Sequence, residues 1–219
     1  MLIRSASGLR GIAKDHFTPE LIDKYISAFI NTQNIKSCVI GRDGRPSGKQ
    51  IALWIIDSLH KKGVNVDNCG LATTPTMQIM TEKENYDGGI VITASHNPSE
   101  YNGLKFLQND GTFLSPEQCE ELFKAVDQNI SVENSESLGV VSDYSTANKE
   151  HIHKVLSAKC IDVESVIQEK FTVVIDAVNG AGSYILPTLC EQLGCKVITM
   201  NCNGCLLYTS DAADDVVGV

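Results

Sequence analysis

The chain has 219 residues, 42% of them hydrophobic and 21% charged, with a formal net charge of −9. That composition fits an ordinary globular protein of one large or two small domains. The acidic balance disfavours a nucleic-acid partner, because a phosphate backbone needs a broad field of Lys and Arg.

No stretch approaches the ~20 consecutive apolar residues of a membrane span. The opening "MLIRSASGLRG" lacks the apolar centre of a signal peptide, so a cytoplasmic chain with no membrane partner is expected. All the arginines, Arg4, Arg10, Arg42 and Arg45, come early in the chain. Three of them stand in the Gly/Ser-rich segments "SGLRG" and "GRDGRPSG", read here as loops, where guanidinium forks suit bidentate phosphate contact. Solvated turns with incidental arginines are the competing reading of these two segments.

Thr18 followed by Pro19 predicts a capped helix running to about Ile30. "SCVIG" then reads as a buried strand. Over residues 47–62, Ile51, Leu53, Trp54, Ile55, Ile56 and Leu59 cover a wide helical face, and Gly63 stops it. "VNVDNCG" is the next strand, Thr74 and Pro75 open a short helix, and Gly88 and Gly89 lead into strand "IVITA". "NGLKFLQ", the turn "NDG" and "TFLS" predict a hairpin, followed by a helix over residues 115–127. Residues 128–145 are polar and aperiodic, which predicts a linker. Beyond it a helix over 146–158, strand "FTVVIDA", turn "VNGAG", a helix near 183–193 and strand "KVITM" make one βαβ unit. Its Gly180 and Gly182 read as a tight strand-to-helix turn rather than a dinucleotide fingerprint. The fold class expected is α/β, a mixed sheet layered with helices, with ligands on loops beyond the strand ends.

The eight cysteines are read as reduced thiols, not as disulfides or zinc ligands. His151 and His153 lie two apart at a helix start and point different ways, which argues against a metal site there.

The segment "ITASHNPSEYNGLKF" places Ser95 beside His96 where an apolar strand ends. Neighbours on an extended chain project to opposite sides, so His96 is a poor base for Ser95, and no G-x-S-x-G elbow surrounds the serine. A reactive hydroxyl at a strand end, with Gly103 ahead of Lys105, suits phosphoryl chemistry, where the protein mainly positions groups and balances charge. On these residues alone, a polar loop capped by Ser95 and Asn97 competes with that reading.

Taken together, Arg10 in "SASGLRG", "GRDGRPSG" at 41–48, "TASHNP" at 93–98 and "NGLK" at 102–105 resemble the first domain of the α-D-phosphohexomutases. The resemblance covers about residues 1–204 and looks most like the bacterial glucosamine-specific branch. It implies that Ser95 carries a phosphoryl group whose phosphate helps bind Mg²⁺, with His96 a polar neighbour. Lys105 and Arg10 would sit at the reacting phosphate, with Lys105 a candidate general acid/base. Arg42, Arg45 and Asn97 would contact phosphate or brace the loop. The reaction implied interconverts hexose 6-phosphate and hexose 1-phosphate through a hexose bisphosphate.

In this reading, residues 1–145 are the phosphoserine domain and 146–204 part of a second α/β domain. Residues 205–219, "CLLYTSDAADDVVGV", read as a non-native adaptor-derived tail. The Asp-Gly-Asp-x-Asp-Arg metal loop that the resemblance calls for does not occur in the sequence, so the chain is expected to be a fragment, inactive alone. A non-catalytic phosphosugar-binding or interaction module, or phosphomannomutase/phosphoglucomutase specificity, remains the alternative.

Overall fold

A computed structural model of the protein describes residues 2–82 and 86–204. The chain begins with two short strands, β1 (Ile3–Ser5) and β2 (Gly8–Ile12), and one helical turn, α1 (Ala13–His16). α2 (Pro19–Gln33) starts where the Thr18 hydroxyl accepts the Leu21 N–H, and ends at Asn34 in the left-handed conformation. β3 (Ser37–Arg42), α3 (Gly48–Lys61), β4 (Asn65–Leu71), α4 (Thr74–Thr81) and β5 (Gly88–Ile92) follow. Thr73 rather than Thr74 caps α4, accepting the Thr76 N–H. β6 (Tyr101–Gln108) leads to α5 (Pro116–Asp127), whose start is a reciprocal cap between Ser115 and Gln118.

Seven strands form one sheet in the order β1-β2-β6-β5-β3-β4, closed by β7 (Val141–Asp143). β3 runs parallel to both β4 and β5, whereas β6 is antiparallel to β5 and to β2. The sheet is therefore mixed, as the sequence predicts. Strand alternation sends Cys38, Ile40, Ile90, Ile92, Leu104 and Phe106 to one core beneath α2, α3 and α5. Val39, Val91 and Leu107 pack on the other face against Met77 and Met80 of α4.

Four departures from the sequence reading are local. "SGLRG" is not a loop, since Arg10 lies on β2 paired with Gly103, and Arg42 is the last residue of β3. The return arm of the "NDG" turn makes a single bridge, Leu107 to Phe113, rather than a strand. Segment 128–145 is tied to the sheet: the Ser135 and Gly139 N–H groups donate to the carbonyls of Lys61 and His60 at 2.8 and 2.9 Å, and β7 pairs with β4. Its strand is three exposed residues long, too short to give a periodic signal. A short helix, α7 (Val163–Glu169), also went unread between α6 (Ala147–Leu156) and β8 (Thr172–Asp176).

β8, α8 (Gly182–Gln192) and β9 (Lys196–Met200) form the expected βαβ unit, with β8 and β9 parallel in a separate two-stranded sheet. The turn into α8 is tight, with Asn179 at φ 55° and the Gly180 N–H donating to Ala177 O. Among the described residues no helix is long and apolar enough to cross a membrane. Cys38, Cys119, Cys160, Cys190, Cys195 and Cys202 form no disulfide. Cys202 and Cys205 have C-x-x-C spacing, but Cys205, like the rest of the tail expectation for 205–219, lies outside the described residues.

The two sheets are linked through α4 and α6. Thr76, fully buried, meets His151 Nδ1 at 2.9 Å and Thr73 at 2.7 Å, while Asn148 donates to Leu71 O at 3.0 Å. Burial, then the nearby Lys154 charge, holds the His151 imidazole below its ordinary range. The unfolded chain therefore binds the extra proton first as pH falls below about 6.5, and stability drops in that window. Replacing His151 by Gln should flatten the difference in urea midpoint between about pH 7.5 and about pH 5.5. An unchanged pH profile would remove His151 from this account.

The same architecture predicts unequal local stability. β3 and β5 are buried between neighbours, whereas Val174, Ile198 and Met200 of the small sheet are 59%, 44% and 51% exposed. Amide exchange should protect β3 and β5 much longer than β8 and β9. Equal protection would contradict it.

Candidate functional site

The loops that follow β3 and β5 leave the sheet side by side, because these parallel neighbours end in register at Arg42 and Ile92. Ligands of open α/β sheets bind at this carboxyl edge. The Asp43 N–H joins the two loops by donating to Ile92 O at 3.1 Å. β2 and β6 supply the remaining wall. Gly103 lets them approach: a Cβ there would lie 2.5 Å from Leu9 O and 2.7 Å from Thr93 O. Lys105 is two residues further along β6 on the same face of the sheet.

These elements enclose a cavity of about 150 Å³ whose walls include Arg10, Ser95, His96 and Lys105, together with Ser5 and Ser7. Arg10 and Lys105 are cationic, and among the described residues no Asp or Glu lines the cavity. In a chain of net charge −9 this is a local positive field, suited to an anion.

Ser95 is exposed at the turn and has φ 56°. A non-glycine residue there carries a strain of about 1–2 kcal/mol. Its N–H donates to Thr93 Oγ1 at 3.0 Å, and its carbonyl accepts Arg45 Nη2 at 2.8 Å. His96 Nδ1 approaches Ser95 Oγ at 3.4 Å, a long contact. The expectation that these neighbours point apart assumed an extended chain, and the left-handed turn removes that assumption.

Arg10 donates through Nη1 to Asn97 Oδ1 at 3.2 Å, while its Nε is buried with no acceptor among the described residues. A buried N–H without a partner is costly and marks a place for an acceptor that the chain itself does not supply. Asn97 thus orients Arg10. Lys105 Nζ stands 5.1 Å from the centroid of the Phe113 ring, a cation–π contact that restricts its swing.

Of the two roles open to Arg42 and Arg45, phosphate contact or loop brace, the geometry favours the brace for Arg45. Arg42 donates to Asp43 O at 3.0 Å and is not among the residues lining the cavity. Arg45 is 2% exposed and has no N–H left for a phosphate. Nε pairs with Asp43 at 3.0 Å, Nη1 reaches Pro98 O and Tyr101 O, and Nη2 reaches Ser95 O and Asn97 O. It braces the Ser95 loop. Sequence reasoning missed Asp43, Thr93 and the fully buried Asn102, whose amide donates to Ser47 Oγ at 2.8 Å. All three stand inside the quoted motifs, and that proximity was the available signal.

Because a buried guanidinium and its carbonyl partners lose everything together, Arg45→Leu should lower folding stability by about 3–5 kcal/mol. Arg45→Lys should fall too, since an ammonium offers three donors in place of five. Urea denaturation checks this, and a loss under about 1 kcal/mol would place the pair with weak surface ion pairs.

Residues 1–133 match the description phosphoglucomutase/phosphomannomutase, alpha/beta/alpha domain I, and residues 149–208 match domain II of the same description. The chain is 38% identical over 206 residues to a phosphoglucomutase/phosphomannomutase of Thermococcus kodakarensis, covering 89% of this chain and 43% of that one. It is 36% identical over 200 residues to a phosphoglucosamine mutase of Methanococcus vannielii, covering 90% and 43%. A crystal structure of a phosphoglucomutase/phosphomannomutase family protein from Burkholderia thailandensis superposes with a TM-score of 0.69 at 24% identity, covering 93% of this chain and 46% of that one. The chain thus spans less than half the length of the relatives it matches. By the extent of these matches, it belongs to the phosphoglucomutase/phosphomannomutase family.

Proposed function

We propose that this chain carries the phosphoryl-bearing part of a hexose-phosphate mutase site, with Ser95 as the carrier. The observation that carries the reading is the buried, unpartnered Nε of Arg10 in a cationic cavity that Ser95 also lines. An anion on Ser95 Oγ would give that N–H its missing acceptor. The cavity, at about 150 Å³, accommodates a phosphoryl group better than a whole sugar phosphate.

In the reaction, a sugar hydroxyl oxygen bonds to phosphorus as the Ser95 Oγ–P bond breaks. The proton lost by the sugar ends on Oγ, and Lys105 is the residue assigned to shuttle it. The return step reverses these bonds with the other phosphate of a hexose bisphosphate. Arg10 balances charge on the phosphoryl oxygens, Asn97 orients Arg10, and His96 stays a polar neighbour. Hexose phosphates are the substrate class; glucosamine phosphate is our choice within it, in line with the name of the Methanococcus vannielii relative, while the Thermococcus kodakarensis relative is named for glucose and mannose phosphates.

Mg²⁺ is the cofactor implied, and when bound it would neutralise phosphate charge. The described residues hold no group of three or more His, Cys, Asp or Glu fit for a metal. Ser95, through its phosphate, is the donor assigned to the ion, and the described residues do not complete a site.

In a mutase containing this chain, incubation with a hexose bisphosphate should leave phosphate on the Ser95 peptide, read by mass spectrometry, and Ser95→Ala should abolish it. In a mutase containing this chain, the same substitution should lower turnover by several orders of magnitude, as for any lost covalent nucleophile. Turnover near wild type would overturn the assignment.

A further inference from the structure

We infer that Asp43, acting through Thr93 and Arg45, is a positioning residue that fixes Ser95 in its left-handed conformation and thereby aims its hydroxyl. The inference rests on the phosphoryl-carrier reading of Ser95. Asp43 does not line the cavity and touches no reacting atom, so its effect must pass through other groups.

Two chains of contacts converge on one oxygen of its carboxylate. Along the first, Asp43 Oδ2 accepts the Thr93 hydroxyl at 2.6 Å, and Thr93 Oγ1 accepts the Ser95 N–H at 3.0 Å. Along the second, Asp43 Oδ2 accepts Arg45 Nε at 3.0 Å, and Arg45 Nη2 donates to Ser95 O at 2.8 Å. The other carboxylate oxygen accepts the Arg45 backbone N–H at 3.0 Å, which fixes the arginine at its root. The N–H and the C=O of Ser95 are thus held from the same anchor. Holding both ends of one residue restricts its φ and ψ, which is what a serine at φ 56° requires in place of glycine.

The charge of Asp43 is also contained. Its carboxylate is opposed by a guanidinium whose side chain is 1% exposed, so the anchor does not present an unbalanced negative charge to a phosphate on Ser95. A neutral anchor would lose the Arg45 pairing. A carboxylate without Arg45 would repel the phosphate.

The test uses Thr93→Val, which deletes the hydroxyl while keeping the shape, Thr93→Ser, which restores it, and Asp43→Asn as a second route to the same contacts. By NMR, exchange of the Ser95 amide should accelerate about tenfold or more in Thr93→Val, with β5 amides unchanged, and return towards wild type in Thr93→Ser. In a mutase containing this chain, the rate of Ser95 phosphorylation by a hexose bisphosphate should fall about tenfold or more in Thr93→Val and Asp43→Asn, with KM little changed, and recover in Thr93→Ser. Unchanged Ser95 exchange in Thr93→Val would overturn the relay. Phosphorylation at the wild-type rate in Thr93→Val would overturn the positioning role while leaving the carrier reading intact. Absence of phosphate on wild-type Ser95 in that mutase would overturn the carrier reading, and this role with it.

Discussion

The buried guanidinium of Arg45 spends its N–H groups on Asp43 and on the carbonyls of Ser95, Asn97, Pro98 and Tyr101, and the rest of the site depends on that commitment. A loop following a strand would normally turn its polar backbone to water and move. Here its carbonyls converge on one rigid, planar donor, so the loop is fixed without regular secondary structure. The partner loop after β3 supplies the arginine and the parallel pairing of β3 with β5 brings the two together. A mixed sheet is what allows this, because β6 returns antiparallel to β5 and β2 pairs antiparallel with β6, which places Lys105 and Arg10 at the same edge.

The cations divide into those consumed by the fold and those left for chemistry. Arg45 is paired on every N–H, and Arg4 is held by Tyr25 and Asp127. Among the described residues, Arg10 keeps a buried donor without an acceptor, and Lys105 is held by an aromatic ring rather than by a carboxylate. A cation–π contact restricts an ammonium without neutralising it, and an anion nearby can still feel the full charge.

How much of this was legible in the sequence follows from where each signal resides. Strands β3 and β5 and helices α2, α3 and α5 bury continuous or periodic apolar faces, so pattern alone located them. The β1-β2 hairpin and β7 are short, and β1 and β7 carry mostly exposed residues; nothing local marks them. The motifs around Arg10, Ser95 and Lys105 were visible, and the cavity does bring these residues together with His96. Which of its two candidate roles Arg45 takes, phosphate contact or loop brace, was not legible. Arg45 and Arg10 both stand in glycine-rich segments, and what separates a brace from a ligand-facing cation is a loop about fifty residues away in the chain. Likewise, the Ser95 and His96 side chains could be judged only once φ at Ser95 was known.

The left-handed serine gives the strongest reason to treat the loop as more than a connection. Glycine would adopt φ 56° without strain, and a purely structural turn has no need of a β-carbon there. A turn that must present a hydroxyl has no such freedom: it has to accept the strain and hold it with external contacts. The chain places those contacts at both ends of Ser95, and they involve a hydroxyl, a guanidinium and a carboxylate drawn from two loops. That expense of buried polar groups around one exposed oxygen is economical only if the oxygen's position matters, which is why the brace and the phosphoryl-carrier reading support each other.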